Sequence, residues 1–171
     1  MGDRGGWQPH WPNLGEYFVP LGVASQLVEG TDGSVISYGR TLPLCVQAAK
    51  QLADECRLRF DVIDLRSIFP YDWKAISSST LKTGRVLIVN EDTDVTNLGE
   101  DLLRRLIDEH FYDLLVRPRV LQGQHVPGIG LNPVYEQNTV PQLRHIKASM
   151  QAIAMEAAWS GDQEVHALVT A

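Results

Sequence analysis

Short apolar runs alternate along this chain with longer stretches in which apolar side chains recur every three or four residues, and the alternation predicts its elements. Gly22 to Val28 reads as a strand, turned by Glu29-Gly30-Thr31-Asp32-Gly33 into a second strand, Ser34 to Tyr38, as a short hairpin. Leu42, Cys45, Val46, Ala49, Leu52, Ala53 and Cys56 then place one apolar stripe on a helix from about Thr41, the strongest helix signal in the chain. Phe60 to Leu65 reads as a strand. Asp72 is placed to cap a short helix through Ile76, with Ser77-Ser78-Ser79 ending it. A strand from Arg85 to Val89 follows, then an amphipathic helix marked by Leu98, Leu102, Leu103, Leu106 and Ile107, then a strand from Arg119 to Leu121.

Gln124 to Asn138 is broken by Pro and Gly and fits neither period, so it reads as a long connection. Val140, Leu143, Ile146, Met150, Ile153 and Ala157 mark a last helix, with Pro141 in its first turn. Strands alternating with helices predict an α/β fold: a three-layer α/β/α sandwich around a mostly parallel sheet. The early hairpin predicts one antiparallel edge strand. Residues 1–16, rich in Gly, Pro and Trp, read as a linker from a preceding domain or an expression remnant. Residues 17–159 read as the domain, and 160–171 as a tail, frayed or docked on a partner.

Composition narrows the function classes. The 171 residues with 44% hydrophobic content suit one core. A net charge of −6 argues against a nucleic-acid footprint and gives no reason to expect an anionic membrane as partner. Without a membrane-length apolar run or a signal-like start, a cytoplasmic or organelle-matrix setting is expected. Cys45 and Cys56, eleven residues apart on one helix, stand about 16 Å apart along its axis, too far for a disulfide, and read as small core residues.

The candidate chemistry is sparse. Asp92-x-Asp94-x-Thr96 has the first three ligand spacings of a calcium loop but places Asn97 and Leu103 where Gly and Glu belong. Gly128-Ile129-Gly130 lacks the third glycine and the strand-to-helix turn of a dinucleotide loop. The five histidines stand apart in sequence, there is no Gly-x-Ser-x-Gly elbow, and no metal, cofactor or catalytic residue is assigned. Gly39-Arg40-Thr41, at a strand-to-helix turn, is the best small-anion site, although capping by Thr41 explains the turn without a ligand. At the carboxyl ends of the strands, Asp64 and Arg66 suit a binding pair, and Arg66 with Glu91 a bridge between neighbouring strand ends.

Tyr17 to Ala24 (Y-F-V-P-L-G-V-A), Glu29 to Asp32, Ser37-Tyr38-Gly39, Gln47-Ala48-Ala49, the Asp64-Leu65-Arg66 stretch that runs on to Pro70-Tyr71-Asp72, Lys82-Thr83-Gly84-Arg85, Gly123, Val126-Pro127, Glu136 and Pro141 occur in order along the chain. Together they resemble the C-terminal domain of the beta subunit of the decarboxylating, thiamine-diphosphate-dependent component of 2-oxo acid dehydrogenase complexes, branched-chain or pyruvate type. The resemblance implies a transketolase C-terminal domain-like fold, with Asp64, Arg66, Asp72, Lys82 and Glu91 as structural or interface residues. It implies that thiamine diphosphate and magnesium belong to other domains of the parent, whose Gly-Asp-Gly motif is not matched by Gly2-Asp3-Arg4 or Gly161-Asp162-Gln163. This chain is then a non-catalytic assembly and docking domain, in a bacterial cytoplasm or a mitochondrial matrix.

The implied partners are an upstream pyrimidine-binding domain, a second beta subunit, an alpha subunit or fused alpha domain, and a lipoyl-bearing acyltransferase core. One departure touches the last: where the family carries an acidic residue before an Ala-Pro step, this chain has Val116-Arg117-Pro118, so Asp113 or the Glu91 to Asp94 cluster is the substitute anchor. Two alternatives stay open: a free-standing α/β ligand-binding or regulatory module using the Gly39 to Thr41 turn, and the C-terminal domain of a transketolase or deoxyxylulose-phosphate synthase. Lys82-Thr83-Gly84-Arg85 looks like the dehydrogenase form.

Overall fold

Two strands of this protein are apolar on both faces, and that property fixes the layers. The computed structural model describes Asn13, Gly15, residues 17–128 and residues 132–159; the rest of the predicted linker, the predicted tail and part of the Gly128 to Gly130 loop lie outside the described residues. The strands are β1 (Ser25–Val28), β2 (Gly33–Ser37), β3 (Phe60–Asp64), β4 (Val86–Thr93) and β5 (Arg119–Gly123), in the spatial order β1-β3-β2-β4-β5. All neighbours run parallel except β1 against β3. The helices are α1 (Thr41–Cys56), α2 (Trp73–Thr83), α3 (Leu98–His110), α4 (Pro133–Thr139) and α5 (Leu143–Met155), with a 3-10 turn at Phe111–Asp113.

Along β2 and β4 successive side chains leave opposite faces of the sheet, so adjacent apolar residues, Val35-Ile36 and Val86 to Val89, demand a cover on each side. Val35, Leu87 and Val89 join Phe60 and Val62 under α1 and α5, where Cys45, Ala48, Leu52, Ile146, Met150 and Ile153 close one core. Ile36, Val86 and Ile88 face the other way, against Ile76 of α2 and Leu102 and Leu106 of α3. The stripe read on α1 is therefore the inner face of one layer, and the Leu98 to Ile107 pattern belongs to the opposite layer.

The architecture is the expected α/β sandwich, with four local differences. The predicted hairpin does not form: β1 pairs with β3, and the turn carries the chain around the start of β3 instead. There the amides of Thr31 and Asp32 donate to the Arg59 carbonyl, and Gly30 sits so close to Arg59 that a Cβ would fall 2.3 Å from its carbonyl carbon. The antiparallel edge is real, but its partner is β3 and not the strand that follows the turn.

Ser77 to Ser79 do not end α2. The hydroxyls of Ser77 and Ser79 find partners across the fold, His110 and Asp61, which removes their usual competition with helical hydrogen bonds. The helix runs on to Gly84, whose φ of 61° and bond from its amide to the Thr80 carbonyl close it. Inside the predicted connection lies α4, capped by Asn132 with Pro133 in its first turn, and none of its residues is buried, which is why no apolar stripe announced it. Pro141 precedes α5 rather than entering it, because that helix starts at Leu143.

Of the two cysteines only Cys45 is a core residue; Cys56, at the end of α1, is exposed. Burial pushes the Cys45 thiol up to about 12, a shift that the Ser37 hydroxyl only partly offsets. A raised value keeps Cys45 in its thiol form at mild alkaline pH, and only the thiolate attacks a disulfide reagent. An aromatic disulfide reagent at pH 8 is expected to titrate one fast thiol, Cys56, in the native chain and a second only after denaturation. Two fast thiols would show that α1 does not bury Cys45 as described.

Candidate functional site

Polar groups excluded from the two cores collect at the two ends of the sheet. At the carboxyl end, the chain leaves β2 through Gly39, whose φ is 60°, into Arg40 and the first residue of α1. Arg40 reaches Glu136 of α4 at 2.6 Å and Glu91 of β4 at 3.7 Å. Two carboxylates thus occupy the cation that an anion would need, and an incoming anion would have to displace them. Thr41 is no cap: it lies inside the helix, buried, donating to the Tyr38 carbonyl at 3.0 Å and pairing with the Ser37 hydroxyl at 2.9 Å. The Gly39-Arg40-Thr41 turn is a structural knot that ties β2, β4, α1 and α4 together. Its surroundings are negative, since the Tyr38 phenol is raised above its ordinary value by burial first and by Asp92 and Glu91 next.

The proposed bridge between Arg66 and Glu91 does not form. Arg66 has a φ of 58°, and its turn is held from below by Asp64, which accepts from the Arg66 amide at 3.0 Å and stands 4.0 Å from its guanidinium. Glu91 is drawn to Arg40 instead, because β4 continues to Thr93 and carries Glu91 along the strand towards α4. The loop after Arg66 exposes Ile68 and Phe69 and contains the cis Phe69–Pro70 bond. Ser67 fixes it to the segment before β1, accepting from the Gly22 amide at 2.8 Å. Phe18 and Leu21 on that segment are exposed too, Phe69 to 88% and Phe18 to 81%, so this rim presents large apolar side chains.

Asp72 caps α2 by accepting from the Ala75 amide at 3.0 Å, and its other oxygen accepts from the Ala24 amide at 3.0 Å. One carboxylate thereby starts a helix and anchors the chain entering β1. Lys82 performs a similar service at the other end of the sheet. Its ammonium lies 2.7 Å and 2.6 Å from the two oxygens of Asp61, a side chain only 1% exposed in β3. Asp61 also accepts from Gln26 of β1 at 2.9 Å, the Gly30 amide at 2.8 Å and Ser79 of α2 at 2.6 Å. Ser34 and Thr83 extend this network.

Sequence reasoning missed Asp61, whose one signal was a carboxylate inside an apolar run of strand residues. A small cavity of about 210 Å³ adjoins it, lined in part by Gln26, Ser78 and Lys82. Every oxygen of Asp61 is already saturated with donors, so that cavity offers no free carboxylate.

A second arrangement invisible in sequence links α2 to the end of α3. His110 Nε2 lies 2.8 Å from the Ser77 hydroxyl and its Nδ1 lies 3.0 Å from Asp113. The order is that of a serine triad. Ser77, however, sits within α2, where backbone N–H groups bond inside the helix and cannot form an oxyanion hole. The three residues act as a tie between two helices; Asp113, the expected docking residue, gives one oxygen to it and keeps its side chain 46% exposed.

The magnesium and diphosphate of the implied parent cofactor would need uncommitted oxygen ligands and anion-binding donors. Among the described residues no cluster of three or more His, Cys, Asp or Glu is arranged to hold a metal ion. The carboxylates at either end of the sheet are committed to Arg40, Lys82 and helix or loop amides. These residues do not fit that group.

The family model of the transketolase C-terminal domain matches residues 22–146. The chain is 30% identical over 139 residues to 2-oxoisovalerate dehydrogenase subunit beta of Bacillus subtilis, covering 81% of this chain and 42% of that protein. It is 34% identical over 134 residues to pyruvate dehydrogenase E1 component subunit beta of Chlorokybus atmophyticus, covering 78% and 39%. It therefore spans about two fifths of the length of these relatives. Among solved structures, a split gene transketolase described as an inactive beta4 tetramer superposes with a TM-score of 0.70 at 22% identity, over 81% of this chain and 44% of that one, a likeness of fold.

Two substitutions test the carboxylate anchors. Asp61→Ala removes the acceptor of several buried donors, and with Lys82 free to re-enter water it is expected to cost about 2–4 kcal/mol. Asp72→Ala loses a cap and a strand anchor, an expected cost of about 1–2 kcal/mol. Both are read by urea unfolding at constant m-value, and an Asp61→Ala chain as stable as the parent would refute the network.

Proposed function

This chain belongs to the transketolase C-terminal domain family, and from that premise we propose that it is the non-catalytic assembly and partner-docking domain of a thiamine-diphosphate-dependent 2-oxo acid dehydrogenase. The parent would decarboxylate a 2-oxo acid oxidatively and pass the acyl group to a lipoyl carrier, its cofactor and magnesium held outside residues 17–159. The observation that carries this reading is the 30% identity over 139 residues to a protein named as a dehydrogenase beta subunit. The rim formed by Phe18, Leu21, Ile68 and Phe69 supports it, since contiguous exposed apolar surface marks an interface. Phe18 and Leu21 lie on the segment leading into β1 and Ile68 and Phe69 on the loop after β3, where contact with an upstream pyrimidine-binding domain or a second beta subunit would be made.

The ligand-module alternative is weaker, because Arg40 is engaged by Glu91 and Glu136. The transketolase alternative rests on likeness of fold. The setting proposed with the dehydrogenase reading is a bacterial cytoplasm or a mitochondrial matrix.

The purified chain, given thiamine diphosphate, magnesium and either pyruvate or a branched-chain 2-oxo acid, is expected to release no carbon dioxide; turnover by the chain alone would overturn the reading. Phe69→Asp is expected to leave unfolding stability within about 0.5 kcal/mol while weakening association with the remaining subunits in sedimentation velocity. Unchanged association would remove Phe69 from the interface. Docking of the acyltransferase core through Asp113 is checked by surface plasmon resonance with Asp113→Ala, where at least about ten-fold weaker binding is expected and unchanged affinity excludes the residue.

A further inference from the structure

On the side of the molecule where α3 ends, the chain leaving α5 crosses the loop before β5 and leaves a groove of about 410 Å³. Its walls include Ile107, Leu114, Val116 and Trp159. Trp159 is fixed at the rim by its amide, which donates to the Leu115 carbonyl at 2.7 Å, yet the residue stays 60% exposed. Phe111 and Leu115 are also exposed beside it, as are Tyr112 on the 3-10 turn and Met155 at the end of α5. Apolar surface thus continues past the cavity, farther than a small molecule would cover.

The charge of this face runs against that of the chain. The protein as a whole carries −6, but Arg117 lines the groove and forms no ion pair among the described residues. Glu156, the carboxylate in the groove wall, is bound by Arg119. Behind the wall the Arg85 guanidinium donates to the Ile153 and Glu156 carbonyls, each at 2.8 Å, and fixes the end of α5 that borders the groove. Arg119 Nε is buried without a hydrogen-bond partner. Asp113 is held by His110, and on α3 the carboxylates Asp101, Asp108 and Glu109 are paired with Arg104 and Arg105.

We propose that this groove docks a partner polypeptide segment that sets a large apolar side chain beside Trp159 and a carboxylate beside Arg117. The proposal deepens the assembly reading and rests on it. Its parts are those of an interface centre: an aromatic and an arginine, the residue types that dominate binding energy, on a concave apolar floor. A basic partner would meet the Arg117 charge and find the one carboxylate of the groove wall, Glu156, already bound by Arg119, and is disfavoured on both counts.

The probe is a fluorescein-labelled peptide bearing Asp-Asp next to Phe-Leu, with a control in which both Asp are Lys, titrated with the full chain and read by anisotropy. The acidic peptide is expected to bind and the lysine peptide to bind at least about ten-fold more weakly. Arg117→Glu and Trp159→Ala are each expected to weaken the acidic peptide by at least about ten-fold while the far-ultraviolet melt stays in place.

Equal binding of both peptides, or binding indifferent to Arg117→Glu, overturns the proposal. So does displacement of the probe by a peptide copied from residues 160–171, which would assign the groove to a segment of this chain itself. The measurement needs no catalytic partner, so its failure leaves the assembly reading standing. Carbon dioxide release by the chain alone sinks that reading and leaves the peptide result legible.

Discussion

A strand whose two faces are both buried has no place for an unpaired polar side chain except at its ends, and β2 and β4 impose that constraint on the whole molecule. Helices must cover each face of the sheet, and they do, in two separate cores. What remains for chemistry is the two ends of the sheet and the outer helix surfaces. At the carboxyl end the Arg40 charge is taken up by Glu91 and Glu136. At the other end a single buried carboxylate, Asp61, is tolerated because donors from β1, the following turn and α2 converge on it.

That distribution bears on the kind of work the domain can do. Its polar side chains are spent on joining elements: Asp72 joins a helix start to an edge strand, His110 joins α2 to the turn after α3, and Arg85 holds the end of α5. Side chains committed in this way are poor general acids, bases or ligands, since each new partner has to displace an existing one. The exposed apolar residues have no such commitment. Phe18 and Phe69 on one side, and Trp159 with Phe111 on the other, are the surfaces from which contact with other chains would draw its free energy.

Much of the layered architecture was legible in the order of apolar runs and apolar stripes, because period-two and period-3.6 patterns are local properties of the chain. The strand at Phe60–Asp64, the stripe from Leu42 to Cys56 and the cap at Asp72 follow from residues within a few positions of one another. The site was legible only in outline. Asp64, Arg66, Asp72 and Glu91 were singled out from position and Lys82 through the family resemblance, yet the partners of Glu91 and Lys82 are Arg40, just before α1, and Asp61 of β3, far away in sequence. Thr41 was misassigned for a related reason: a threonine at a helix start suits a cap, and only the burial of that corner turns its hydroxyl towards Tyr38 and Ser37.

By itself the sequence determined roughly where the five strands and the helices other than α4 begin, that both sheet faces are covered, and that one edge is antiparallel, since these depend on side-chain periodicity and turn chemistry. Tertiary structure alone decided that β1 pairs with β3, that three serines lie inside a helix, and that the Val116-Arg117-Pro118 loop meets Trp159 across a groove. Pairing and burial depend on which distant groups can satisfy a donor or exclude water. No local pattern encodes a hydrogen bond between residues that meet only after the chain has folded.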